Sequence, residues 1–213
     1  MICRPKRALV FAAGLAYSLA ESAFAVEEAK YEVQSRDGAI ELRDYESSIV
    51  AETVVSGDFD EAGNRAFRKL FNFIDGNNVA GEEIAMTAPV SQEAASEKIA
   101  MTAPVSQSRD GDAWAVSFMM PAAYTMETVP KPVDPEVRIR EIPSQRMAAI
   151  RYSGFWSEKN YREHLSELEN WLQANGLEPA GDPVWARYDA PFKPWFMRRN
   201  EILVPIAENG GGD

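Results

Sequence analysis

Two strand-like stretches, VAETVVSG at 50–57 and MAAIRYSG at 147–154, each end in Ser-Gly and run directly into an amphipathic helical pattern. Their glycines, Gly57 and Gly154, stand 97 positions apart. The first helix is expected over DFDEAGNRAFRKLFNFID. There Ala62, Ala66, Phe67, Leu70, Phe71 and Ile74 recur at helical spacing, with Arg65, Arg68, Lys69 and Asn72 off the stripe. Asp58 with Glu61 three residues on resembles a capping box, Asp60 being the alternative cap, and Gly76 ends the pattern. The second helix follows Ser157, with Tyr161, His164, Leu165, Leu168 and Leu172 as its stripe, Trp171 at the edge, and Gly176 as its stop.

Alternating runs surround both helices: IELRDY before the first, VRIREI before the second, then VWARYDA and NEILVPI. A proline-rich link, VPKPVDP, separates the two sets. The order of elements predicts an α+β fold. It would be a distorted antiparallel β-barrel built from two pseudo-symmetric strand–strand–helix–strand halves, with two flanking helices.

The N-terminus carries Arg4, Lys6 and Arg7, an apolar run from Leu9 to Ala20, and the small-x-small triplet Ala23-Phe24-Ala25. That combination reads as a signal peptide, residues 1–25, with export to a periplasmic or secreted location. The rest divides into one domain, 26–207, and a Gly-rich disordered tail, 208–213. Cys3 would leave with the leader, so the exported chain has no disulfide, thiolate nucleophile or thiolate metal ligand. Removing the leader's three cations and Glu21 takes the formal charge from −11 to −13. Such acidity, with no concentrated basic patch in the sequence, argues against nucleic acid as a partner. No segment after the leader is apolar enough to span a bilayer as a helix.

IAMTAPVSQ occurs twice, at 84–92 and 99–107. Met86 and Met101 could act as thioether donors to an iron. The alternative is extended scaffold, since Pro89 and Pro104 hold Ala88 and Ala103 out of the helical region and restrict strand pairing. Scaffold is the expected role, methionine being a common core filler.

KIAMTAPV, VSFMMPAAYTMETVPKPVDPEV and ARYDAPFKPWFMRRNEILV resemble the SOUL, or haem-binding protein, family. So do YEVQSRDGAIELRDYESSIVAETVV and FRKLFNFIDGNN, and the resemblance runs from about Tyr31 to Pro205. It implies the two-halved barrel already inferred, and binding of haem or another tetrapyrrole in an apolar surface cleft beside a helix. An axial histidine in the N-terminal half is not implied for this chain. Its one histidine, His164, lies on the second helix, where a packed role is expected. The family's other mode, apolar contact plus salt bridges to the propionates, suits the residues better. The first helix offers Phe67, Arg68 and Phe71, and the loop PFKPWFMRRN offers Lys193, Met197 and Arg198. The expected partner is therefore haem, or a similar planar apolar anion, held without a catalytic role. No HExxH, Walker loop, dinucleotide fingerprint or nucleophile elbow is present. Two other readings stay open: a protein-interaction module on the same barrel, and a carboxylate-based hydrolase.

Overall fold

The computed structural model describes residues 26–81 and 96–207. The expected signal peptide, the first IAMTAPVSQ copy and the Gly-rich tail lie outside these residues. Nine strands form one antiparallel sheet. In chain order they are β1 (Tyr31–Asp37), β2 (Ile40–Tyr45), β3 (Ser48–Val55), β4 (Val105–Asp110) and β5 (Ala113–Met119). Then come β6 (Val137–Ile142), β7 (Gln145–Tyr152), β8 (Val184–Arg187) and β9 (Asn200–Pro205). Helix α1 (Phe59–Ile74) follows β3, and α2 (Glu158–Ala174) follows β7.

The spatial order is β6-β3-β5-β4-β8-β9-β7-β2-β1. Exchanging each strand of the first half for its counterpart (β2 for β6, β3 for β7, β4 for β8, β5 for β9) gives the same order read backwards, with β1 added outside. The pseudo-two-fold passes through the β4–β8 pair, where Val105 faces Arg187 and Gln107 faces Trp185. The leading strands are exchanged: β2 pairs with β7, and β6 with β3. The expected barrel is thus a curled, open half-barrel. Both helices cover one face, α1 over β3 and β5, and α2 over β7 and β9.

Local chemistry explains the helix starts. Asp58 is the cap of α1 and accepts a hydrogen bond from the Glu61 amide at 3.0 Å; Ser157 does the same for Asn160 at 3.3 Å. Gly57 and Gly154 precede the caps with φ of 121° and 143°, a conformation that favours glycine.

The face of α1 differs from the expected stripe in one respect. Ala62, Ala66, Leu70 and Phe73 are buried against the sheet, whereas Phe71 is 45 % exposed. At 3.6 residues per turn, Phe67 and Phe71 lie about 100° round from the Ala66–Leu70 row, on the flank of the helix. On α2, Leu168 and Leu172 are buried, and Trp171 Nε1 donates to Asp37 Oδ2 at 2.9 Å. Burying a Leu or Phe side chain stabilises the fold by about 1.5–3 kcal/mol, so these two rows anchor the helices. Among the described residues no helix is long and apolar enough to cross a membrane.

The helix-free face carries a buried ion cluster. Arg43 Nη1 donates to Glu201 Oε2 at 2.7 Å and its Nε to Glu41 Oε2 at 2.7 Å. Arg199 Nε donates to Glu201 Oε1 at 2.9 Å, and the Tyr188 hydroxyl to Glu201 Oε2 at 2.9 Å. Burial pushes the Glu201 carboxyl up, but Arg43 and Arg199 outweigh it and hold it below the ordinary carboxylate range. Burial pushes the Tyr188 phenol up, and the Glu201 charge adds to that.

Candidate functional site

Where the two halves meet, an apolar cleft of about 280 Å³ opens on the helix side of the sheet. One wall is the flank of α1, with Gly63, Asn64 and Phe67; the other is the second IAMTAPVSQ copy, with Met101, Ala103 and Val105. Trp156 and the turn 187–191 close the end, and Arg187 lies at the base.

Each wall has a reason to be where it is. Phe67 meets Phe118 edge-on at 5.3 Å, which fixes its ring, and stacks on Phe71 at 6.0 Å, which continues the apolar surface outward. The second repeat copy is pinned on both sides of its methionine. The Ile99 amide donates to Ile74 O at 2.8 Å, Thr102 Oγ1 donates to Met119 O at 2.5 Å, and buried Gln107 donates to Phe59 O at 3.0 Å. Ile99, Thr102 and Gln107 therefore act as scaffold, while Met101, 37 % exposed, is left on the cleft wall.

The base of the cleft depends on a glycine inside a helix. A Cβ at Gly63 would lie 2.9 Å from Gln107 Oε1 and 3.3 Å from Arg187 Nη2. Glycine costs a helix interior about 0.5–1 kcal/mol relative to alanine, and here it lets the Arg187 guanidinium approach α1. That guanidinium sits 4.7 Å from the Trp185 ring centre and 5.4 Å from that of Trp156. At the mouth, Asp189 accepts from Lys193 Nζ at 2.5 Å and from the Arg199 amide at 2.5 Å. Partial burial raises the Asp189 carboxyl, but the Arg199 amide and Lys193 prevail and hold it below the ordinary range.

The six residues expected at a ligand site fall into two groups. Phe67 lines the cleft, Phe71 extends its wall, and Arg68 is exposed on α1 one turn beyond Asn64. Lys193 reaches the cleft mouth only through Asp189. Met197 and Arg198 line a different depression, beside β1, β2 and β7. The Arg198 guanidinium is occupied by the loop itself, donating to Lys193 O at 2.8 Å and Pro191 O at 2.6 Å. His164 does not line the cleft. Its Nδ1 is 2.8 Å from Asn160 O, and its ring stacks on Tyr152 at 3.9 Å, the packed role expected of it.

Gly63, Trp156 and Arg187 were not anticipated. Two of them, Gly63 and Arg187, left a signal in the sequence. Gly63 interrupts a helical pattern, and Arg187 shares the strand face of Trp185, a register in which a charge is unusual.

The profile of the SOUL heme-binding protein family matches residues 26–205, and the chain belongs to that family. It is 28 % identical over 169 residues to heme-binding protein 1 of Xenopus tropicalis, covering 78 % of this chain and 84 % of that protein. It is 27 % identical over 182 residues to human heme-binding protein 2, covering 81 % and 82 %. Among solved structures, the C-terminal domain of EcmrR superposes with a TM-score of 0.53 at 14 % identity, covering 84 % of this chain and 98 % of that one. A hydrolase from Listeria innocua gives 0.51 at 13 %, covering 82 % and 94 %. At those identities the structural matches establish a shared fold only.

Proposed function

We propose that the protein binds haem, or a related planar apolar anion, in the cleft between α1 and the turn 187–191, as a carrier or buffer. The observation that carries this reading is the cleft itself: apolar walls converging on a single guanidinium, Arg187, at the seam of the two halves. Apolar rings would pack against Phe67, Met101 and Val105, while Arg187, with Lys193 and Arg68 nearer the mouth, would meet carboxylates. At about 280 Å³ the cleft falls just short of the roughly 300–1,000 Å³ range of ligand pockets. A macrocycle would therefore enter edge-first and lie partly over Phe71. The reading uses no imidazole: His164 stacks on Tyr152 with its Nδ1 against Asn160 O, away from the cleft. The basic start, apolar run and Ala23-Phe24-Ala25 support an exported location.

Titration with haemin, followed by its visible spectrum, tests the reading. Saturable one-to-one binding is expected, weakened about tenfold by Phe67→Ser, the scale of one lost aromatic contact. Arg187→Gln should weaken a dicarboxylate porphyrin more than its dimethyl ester. Equal losses would remove the carboxylate role, and absence of saturable binding would remove the ligand.

A further inference from the structure

The loop after β8 holds large apolar side chains in water. Phe192 is 90 % exposed, Phe196 60 %, Met197 57 % and Trp195 48 %, with Phe155 beside them at 56 %. Three of them form a cluster, with Phe192 and Met197 on the same loop: Phe155 stacks on Trp195 at 5.0 Å, and Trp195 meets Phe196 edge-on at 5.5 Å. The backbone beneath is fixed. Arg198 clamps the carbonyls of Lys193 and Pro191 with its guanidinium 4.5 Å from the Trp156 ring centre, and the Gly154 amide donates to Trp195 O at 3.1 Å. The rings are thus held outward by a tied loop. Exposed apolar residues scattered singly need no explanation, but a contiguous cluster marks a contact surface.

The adjoining depression, about 550 Å³ with Phe196 and Met197 at its rim, has the opposite character. Arg36, Arg43, Arg151 and Arg198 line it against one carboxylate, Glu41. Arg43 is committed to Glu201 and Glu41, and Arg36 pairs with Glu41. Arg151 makes no ion pair among the described residues. This concentration of guanidinium occurs on a chain of formal charge −11.

We propose that this face docks on the headgroup region of an anionic phospholipid bilayer. Phe192, Trp195 and Phe196 enter the interface, and Arg151 meets lipid phosphates. Aromatic rings settle at headgroup level, and guanidinium is the side chain best matched to phosphate. The charge of the whole chain sharpens the choice: an acidic protein is repelled by an anionic surface except through its basic face, so the docking has one orientation. The docking does not depend on what the cleft binds. If the cleft does hold an apolar guest, its mouth at Ala190 and Pro191 lies within one turn of the inserted loop.

Flotation with vesicles tests this, using pure phosphatidylcholine and phosphatidylcholine mixed with phosphatidylglycerol. The protein should float with the mixed vesicles and return to solution as salt is raised. Combined Phe192→Ser, Trp195→Ser and Phe196→Ser should cut partitioning about tenfold or more. Arg151→Gln should reduce it on mixed vesicles only. Circular dichroism and thermal melting establish that each variant is folded, and Arg151→Gln tests the surface independently should the triple variant fail to fold. Absence of flotation, equal flotation on both vesicles, or an unaffected triple variant would overturn the proposal. Two other outcomes would also overturn it. Inorganic phosphate protecting Arg151 without flotation would make the depression a soluble-anion site. Self-association lost in the triple variant, without flotation, would make the cluster a protein interface.

Discussion

Gly63 and Arg187 face each other across the base of the cleft: a Cβ on the helix residue would come within 3.3 Å of the guanidinium. Gly63→Ala improves helix propensity by about 0.5–1 kcal/mol, yet its methyl must displace buried Gln107 as well as Arg187. The variant is expected to stay folded and to lose haemin affinity by about tenfold, the worth of one misplaced charged contact. Unchanged affinity would show that Arg187 does not act on the ligand.

Glu201 is wholly buried between Arg43, Arg199 and Tyr188. Glu201→Ala leaves the nearly buried Arg43 with only Glu41 as a carboxylate partner. Breaking such a pair from one side costs about 3–5 kcal/mol, which urea unfolding would register as a lower midpoint. A loss below about 1 kcal/mol would mean that solvent reaches the cluster.

Acid should act through the same residue. The folded Glu201 carboxyl lies below its ordinary range, so its contribution is present above the unfolded carboxylate pKa, about 4.3. As pH falls below that value toward the folded pKa, the unfolded chain takes up the proton first, and stability declines. Asp189, lowered likewise, adds in the same direction. Urea midpoints measured from pH 7 to pH 3 should fall mainly below pH 5, and Glu201→Gln should flatten that fall. An equal slope in the variant would assign the acid sensitivity to other carboxylates.

His164→Ala removes a ring stacked on Tyr152 but nothing in the cleft. The haemin spectrum of the variant is expected to match that of the parent, with a stability loss of about 1 kcal/mol for the stacking contact. A changed ferric spectrum in a folded variant would move the iron to α2.

Much of the fold could be read from the chain because strands and helices write their periods locally. IELRDY and VRIREI are β2 and β6 residue for residue. The two Ser-Gly turns mark the starts of equivalent helices. The site was legible in part. Phe67 and Phe71 could both be picked from α1 as candidate ligand contacts, but the stripe alone did not separate them from Ala66 and Leu70, because a 100° step decides between core and flank. Arg187 showed only as a charge on the strand face of Trp185, and its meaning depends on Gly63, 124 positions away. Met197 and Arg198 belong to the loop richest in aromatic and basic residues, but density along a chain does not say which way a loop turns. That direction is set by Arg198's own bonds to the Lys193 and Pro191 carbonyls.

The exchange of leading strands has a consequence for assembly. The first half leaves one edge of its sheet open: β3 pairs with β5 on one side, but its other side takes β6, which begins only at Val137. The second half likewise takes a strand of the other, β2, on the outer side of β7. Each half therefore leaves a strand edge unpaired, and the sheet of a chain emerging N-terminus first stays unfinished until nearly all of it is available. Closure then joins strands distant in sequence, a high-contact-order step that is intrinsically slow. If the chain is exported, as proposed above, through a channel that takes unfolded chains, that delay is an advantage.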